Sequence, residues 1–124
     1  MASQGRAKRV AQRIKEELST LMIFEVSDPA LENVFITHVK VDREFAFADI
    51  YVSALEGAER SEEILDGFER ASGFLRSQLA HLIQLRSFPR LRFNWDPTPE
   101  NADRIDRLIA SLHQDDEIET GDDE

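Results

Sequence analysis

Ten basic side chains fall into two runs that contain no acid. Arg6, Lys8, Arg9, Arg13 and Lys15 precede the first carboxylate of the chain, and Arg70, Arg76, Arg86, Arg90 and Arg92 occupy residues 70–95 with no Asp or Glu among them. The chemistry such runs serve is phosphate neutralisation, in which guanidinium and ammonium groups pair with the anion and release its counterions. Between them, residues 16–69 carry fourteen acids against Lys40, Arg43 and Arg60, and residues 114–124 add seven acids and no base. The net charge of -10 therefore hides two cationic segments, which make one basic surface only where the fold brings them together.

The second run contains a puzzle. Ala71, Ser72 and Gly73 lie between Arg70 and Arg76, in the middle of what otherwise reads as one amphipathic helix. Gly in a helix interior costs about 1 kcal/mol relative to Ala. One reading is a kink that breaks the helix and creates a fresh N-terminus, with Ser72 as its cap and free N–H groups open to a phosphate. Position 75 is Leu, so no capping box turns a carboxylate onto those groups. The other reading is a glycine that lets this helix pack tightly on a neighbour. Spacing alone leaves the two even.

Catalytic chemistry has little support. The chain has no cysteine, which excludes disulfides, thiolate nucleophiles and Cys-ligated zinc. His38, His81 and His113 are far apart, and no His-x-x-x-His, Gly-x-Ser-x-Gly or phosphate-loop spacing occurs. Asp28 and Asp96 each precede a proline, where Asp has an ordinary role in turns. No enzyme, cofactor or metal is expected. No apolar run approaches the eighteen residues of a membrane span, and "MASQGRAKRVAQ" lacks the apolar segment of a signal peptide. A soluble, unexported, cytoplasmic protein is expected, with nothing calling for an obligate dimer.

The elements that must position the arginines can be read from periodicity. The length of 124 residues, 41% hydrophobic with eight Phe and one Trp, suits one domain with a real core. Ala7, Val10, Ala11, Ile14, Leu18, Leu21 and Met22 recur as one helical stripe with basic flanks. "SDPALEN" is a connection. Two antiparallel strands are expected at residues 34–41 and 45–54, joined by a hairpin at Asp42 to Glu44. The second would present Ala46, Ala48, Ile50, Val52 and Ala54 to the helices, and Phe45, Phe47, Asp49, Tyr51 and Ser53 to the other side. Leu65, Phe68, Ser72, Leu75, Leu79 and Leu82 continue one stripe through the Ala-Ser-Gly, suggesting two helices meeting at a kink. Leu91, Phe93 and Trp95 mark a third strand, and Ile105, Leu108, Ile109 and Leu112 the buried stripe of a last helix from Pro99 to Leu112. The body should end at residue 113, with residues 114–124 a disordered acidic tail. The expected class is α+β, a three-stranded sheet with helices on one face.

Helix, two strands, two helices meeting at a small-residue turn and a third strand is the layout of the type II KH fold. "KRVAQRIKEEL", "VSDPAL", "FAFADIYVS", "ASGFLRSQL" and "LRSFPRLRFNWD", in that order, resemble the ribosome-binding factor A family of bacterial assembly factors. The resemblance implies a KH-like fold with an added C-terminal helix, in which Ala71, Ser72 and Gly73 replace the usual Gly-x-x-Gly loop. It implies a non-catalytic protein that binds the free 30S subunit and its 16S rRNA during late maturation and rRNA processing, with a link to growth in the cold. Small-subunit ribosomal proteins and other assembly factors are further candidate partners. The expected RNA-binding residues are Arg6, Lys8, Arg9 and Arg13, then Arg70, Ala71, Ser72, Gly73 and Arg76, then Arg86, Arg90 and Arg92 on the same surface. A protein-binding adaptor working through Phe45, Phe47 and Tyr51 is the competing reading, with an enzyme a distant third.

Overall fold

A computed structural model describes the backbone of residues 4–122 and the side chains of residues 4–112. Its order is α1 (Gln4–Phe24), a 3-10 turn (Pro29–Leu31), β1 (Val34–Val41), β2 (Phe47–Ala54), a second 3-10 turn (Ala58–Arg60), α2 (Ser61–Leu82), β3 (Arg90–Trp95) and α3 (Thr98–Asp122). The sheet order is β1-β2-β3, with β1 antiparallel and β3 parallel to the central β2. Helices α1 and α2 pack on one face, as the α+β, KH-like reading requires.

The helical stripe of α1 buries Ala7, Ala11, Ile14, Leu18 and Leu21. Of these, Ala11, Ile14, Leu18 and Leu21 meet Ile64, Phe68, Leu75 and Leu79 of α2 over Ile50 and Val52 of β2 in one core. Phe68 stacks on Phe93 of β3, with centroids 4.4 Å apart. In β1 the inward residues are Ile36, Val39 and Val41, a spacing of three and then two. A bulge between Ile36 and His38 accounts for it, because the extra residue resets the alternation. Burial of these side chains, at about 1.5–3 kcal/mol each for the larger ones, is what holds helices to sheet.

Three expectations need correction. First, α2 runs unbroken from Ser61 to Leu82, so there is no kink dividing it at Ala71, Ser72 and Gly73 and no fresh N-terminus for Ser72 to cap. Ile64, Phe68, Leu75 and Leu79 stay in helical phase across the small residues, and their burial outweighs the roughly 1 kcal/mol preference of Gly for other conformations. Second, β2 begins at Phe47. Phe45 sits in the connecting loop at φ 56°, where it packs against the core, and the Asp42 carboxylate accepts the Phe47 N–H at 2.8 Å. Phe45 therefore does not share the outer face with Phe47 and Tyr51.

Third, the stripe of the last helix is not buried. Ile105, Leu108, Ile109 and Leu112 are 47–64% exposed, and every residue from Asn101 to Leu112 is exposed. The attachments of α3 to the body are concentrated at its start. Asp96 accepts bonds from the Thr98 N–H and the Thr37 hydroxyl, and Glu100 accepts from the Ala58 N–H and Trp95 Nε1. Gly57, at φ 86°, leaves room for this: a Cβ there would lie 2.8 Å from Glu100 Oε2. Amphipathic spacing shows that a helix has two faces, and it does not show what covers the apolar one. The helical backbone continues past residue 113 to Asp122, so residues 114–122 are helical where a disordered acidic tail is expected to begin; Asp123 and Glu124 lie outside the described residues.

Candidate nucleic-acid interface

The basic and small residues singled out by sequence do not form one surface. On α1, Arg6, Arg9 and Arg13 line a groove of about 440 Å³ with Val10 and with Leu82, Ile83, Gln84 and Leu85, where α2 ends. No acid lines it. Their i, i+3, i+7 spacing puts the three arginines along one flank of α1, and the α1–α2 packing sets the C-terminal end of α2 opposite them. Arg13 Nη2 donates to the Leu82 carbonyl at 3.0 Å, satisfying a terminal acceptor and placing a cation at the negative end of the helix dipole. Arg6 lies over the Phe45 ring at 5.2 Å. Arg9 and Arg86 are exposed and make no side-chain hydrogen bond or ion pair among the described residues.

Lys8 lies on the other flank of α1. It lines a separate groove of about 450 Å³ with His38, Lys40, Asp42 and Arg43. Lys40 and Arg43 belong to the acidic middle of the chain, where charge tallies along sequence give no reason to single them out. The signal that could have done so is the hairpin, which carries the end of β1 to the N-terminal turns of α1.

Two arginines of the second run hold the fold. Arg76 donates from Nε to the Pro89 carbonyl at 3.1 Å and from Nη2 to the Phe88 carbonyl at 2.6 Å, tying the loop before β3 to α2. Arg70 pairs with Asp28 at 3.2 Å. The other Asp28 oxygen accepts from the Ala30 N–H at 3.0 Å. That backbone bond is the largest influence and holds the Asp28 carboxyl below the ordinary range; burial opposes it, and Arg70 adds a further lowering.

Gly73 is exposed, and a Cβ added to it would meet nothing within 4 Å. Ser77 and Ala80, one and two turns on, are exposed as well, so the outward face of α2 there is a shallow strip of small side chains. It lies about two and a half turns before Leu82. The glycine that packs is Gly67: a Cβ there would come within 3.0 Å of Leu31 Cδ2 and 3.2 Å of the Ala30 Cβ. Ala71 and Ser72 are half-buried.

Arg90 and Arg92 alternate with the inward Leu91 and Phe93 and so stand on the sheet face away from the helices. Arg92 binds Asp49 with two bonds of 2.8 and 2.9 Å, an arrangement that raises its guanidinium pKa mainly through the Asp49 hydrogen bonds. These two cannot join the α1 groove. Among the described residues, no group of three or more His, Asp or Glu could hold a metal ion, and no helix is long and apolar enough to cross a membrane.

The chain as a whole is similar to known proteins. The family model described as ribosome-binding factor A matches residues 6–109. The ribosome-binding factor A of Azoarcus sp. strain BH72 is 36% identical over 120 residues, covering 97% of this chain and 95% of its own. That of Thiobacillus denitrificans is 43% identical over 106 residues, covering 86% of each chain. In structure, the chain resembles the crystal structure of ribosome-binding factor A from Thermus thermophilus, at TM-score 0.65 and 24% identity over 72% of this chain and 93% of that one. It also resembles a homology model of the Thermus thermophilus factor fitted into a cryo-electron-microscopy map of a complex with the 30S subunit, at TM-score 0.56 and 25% identity over 67% of this chain and 87% of that one. With a family model spanning most of its length and relatives matched nearly end to end, the chain belongs to the ribosome-binding factor A family.

Proposed function

We propose that this protein is a non-catalytic assembly factor that docks on the free 30S subunit in the cytoplasm and contacts its 16S rRNA during late maturation and rRNA processing. The observation that carries the reading is the groove of Arg6, Arg9 and Arg13, which has no acid on its lining; Arg13 shares its charge with Glu17 at 3.7 Å beside the groove, and Arg9 is unpaired among the described residues. Arg86 extends that charge just beyond Leu85. Such a site takes phosphates, which give affinity and position without reading sequence. The small-residue strip at Gly73 supplies a second contact of a different kind, a place where a nucleic-acid backbone can come close to a helix. Residues 1–113 are the docking body in this reading. The acidic residues 114–124 disfavour arbitrary nucleic acid by like-charge repulsion. The family name and the 30S complex of the Thermus thermophilus relative support the choice of subunit.

The test is equilibrium binding to isolated 30S and 50S subunits over a salt series, with Arg9→Glu/Arg86→Glu as the variant. The expected result is preference for 30S, a log-log salt slope on the order of -3 to -6 from about four to seven neutralised phosphates, and a large loss in the variant. Equal, weak binding to both subunits, untouched by the double charge reversal, would sink the proposal.

A further inference from the structure

The sheet face turned away from the helices is built differently from the α1 groove. Strand register places Lys40, Asp49 and Arg92 in one row across the three strands, and His38, Tyr51 and Asn94 in the next. Phe47 stands on the same face of β2, opposite Arg90. The Arg92 guanidinium carbon lies 3.9 Å from the centre of the Phe47 ring, close enough for the planar group to rest on the ring. Asp49 grips its Nε and Nη2 edge, so the plane is fixed by two independent contacts. With one side on Phe47, the other side of the guanidinium faces solvent, and the Arg92 side chain is 53% exposed. Nη1 makes no hydrogen bond among the described residues.

The charge of this face is also arranged. Asp49 is neutralised by Arg92, and Asp42, the other acid acting on Arg92, turns its carboxylate onto the Phe47 N–H. Lys40 and Arg90 are exposed with no ion pair among the described residues. Tyr51, half-buried with His38 6.0 Å away ring to ring, offers a second aromatic surface one row from Arg92. Fixed planar groups flanked by unpaired cations suit unpaired nucleobases on a phosphate backbone. Duplex RNA keeps its bases stacked inside and presents no such partner.

We infer that the outer sheet face is a stacking platform for single-stranded RNA: one base lies on the exposed plane of Arg92, a neighbouring base on Tyr51, and Arg90 and Lys40 take the flanking phosphates. The inference shares with the proposed function the premise of an RNA partner, and uses none of the residues of the Arg6, Arg9 and Arg13 groove.

The experiment titrates the full chain with a fluorescein-labelled, adenine-rich RNA of about ten nucleotides, enough to cross a platform of this kind, and with the same strand in a duplex. Resonances of Arg92 Nε–H and the amides of β2 and β3 are followed in the unaltered protein. Single-strand binding should shift those resonances, and Arg92→Lys, which keeps the charge and removes the plane, should weaken it about tenfold while duplex binding changes little. Tyr51→Leu should weaken it as well. Unmoved sheet resonances, or Arg92→Lys binding the strand as the parent does, would overturn the inference. So would an Arg92→Lys protein that loses subunit affinity but keeps the oligonucleotide, since the face would then contact a protein. Failure of the groove shows separately, as Arg9→Glu/Arg86→Glu leaving subunit affinity unchanged.

Discussion

Two glycines six residues apart in α2 have opposite surroundings. Gly67 is buried against the turn at Ala30 and Leu31, where a Cβ would be crowded at 3.0–3.2 Å, and Gly73 faces open space with nothing within 4 Å. The first has its helix-propensity cost offset inside the molecule, by the close approach of the turn. The second has no such compensation in the fold. An uncompensated glycine on an exposed helix is what a site for an external backbone would leave behind, and this asymmetry separates the packed face of α2 from the exposed strip assigned to docking.

Substitutions should widen or erase that difference. The largest effect is expected from Gly67→Val, whose side chain has no space beside Leu31 and Ala30 and should lower stability by about 2–3 kcal/mol through overpacking, read as a drop in denaturation midpoint. Arg76→Ala should come next. It removes the bonds to the Phe88 and Pro89 carbonyls at a cost of about 1–2 kcal/mol, so a binding defect in that variant must be judged beside its thermal melt. Gly73→Ala should have the opposite sign, stabilising the free protein by about 0.5–1 kcal/mol. Finding Gly73→Ala destabilising would mean that the helix needs a glycine there for its own sake.

Acid should act weakly, and on the Gly67 side. Asp28 caps the turn that Gly67 packs against, and its carboxyl is held below the ordinary range. A depressed folded-state pKa gives stability that is fully present above the unfolded value near 3.8 and is lost as pH falls through the lower folded value. Asp28→Asn should therefore flatten the stability profile below about pH 4 and leave it unchanged in shape at neutral pH. Chemical denaturation at a series of pH values checks this.

The strands and the α1 stripe are legible in the sequence because burial imposes a period, and Ile14, Leu18, Ile50 and Val52 obey it. The bulge in β1, the positive φ of Phe45 and the bare face of α3 are not. Each is settled by what lies opposite in space, and a period in one segment carries no information about its neighbour. The site follows the same rule. Clustering of arginines in sequence locates the α1 groove, yet it cannot tell that Arg76 and Arg70 are engaged by Phe88, Pro89 and Asp28. It also groups Arg92 with them, although the alternation of Leu91, Phe93 and Trp95 in the sequence already sets Arg92 on the far side of the sheet. Ala-Ser-Gly does mark a place where the helix carries an unexplained cost, although the helix does not break there.

The most direct measurement is the 30S affinity of Gly73→Glu beside its melting temperature. Open space at Gly73 predicts a protein that folds with a melting temperature at or above that of the parent, yet binds the subunit at least about tenfold more weakly, a change of about 1.4 kcal/mol. Parent-like affinity with parent-like stability would contradict the account, leaving Gly73 as a position with no role in docking.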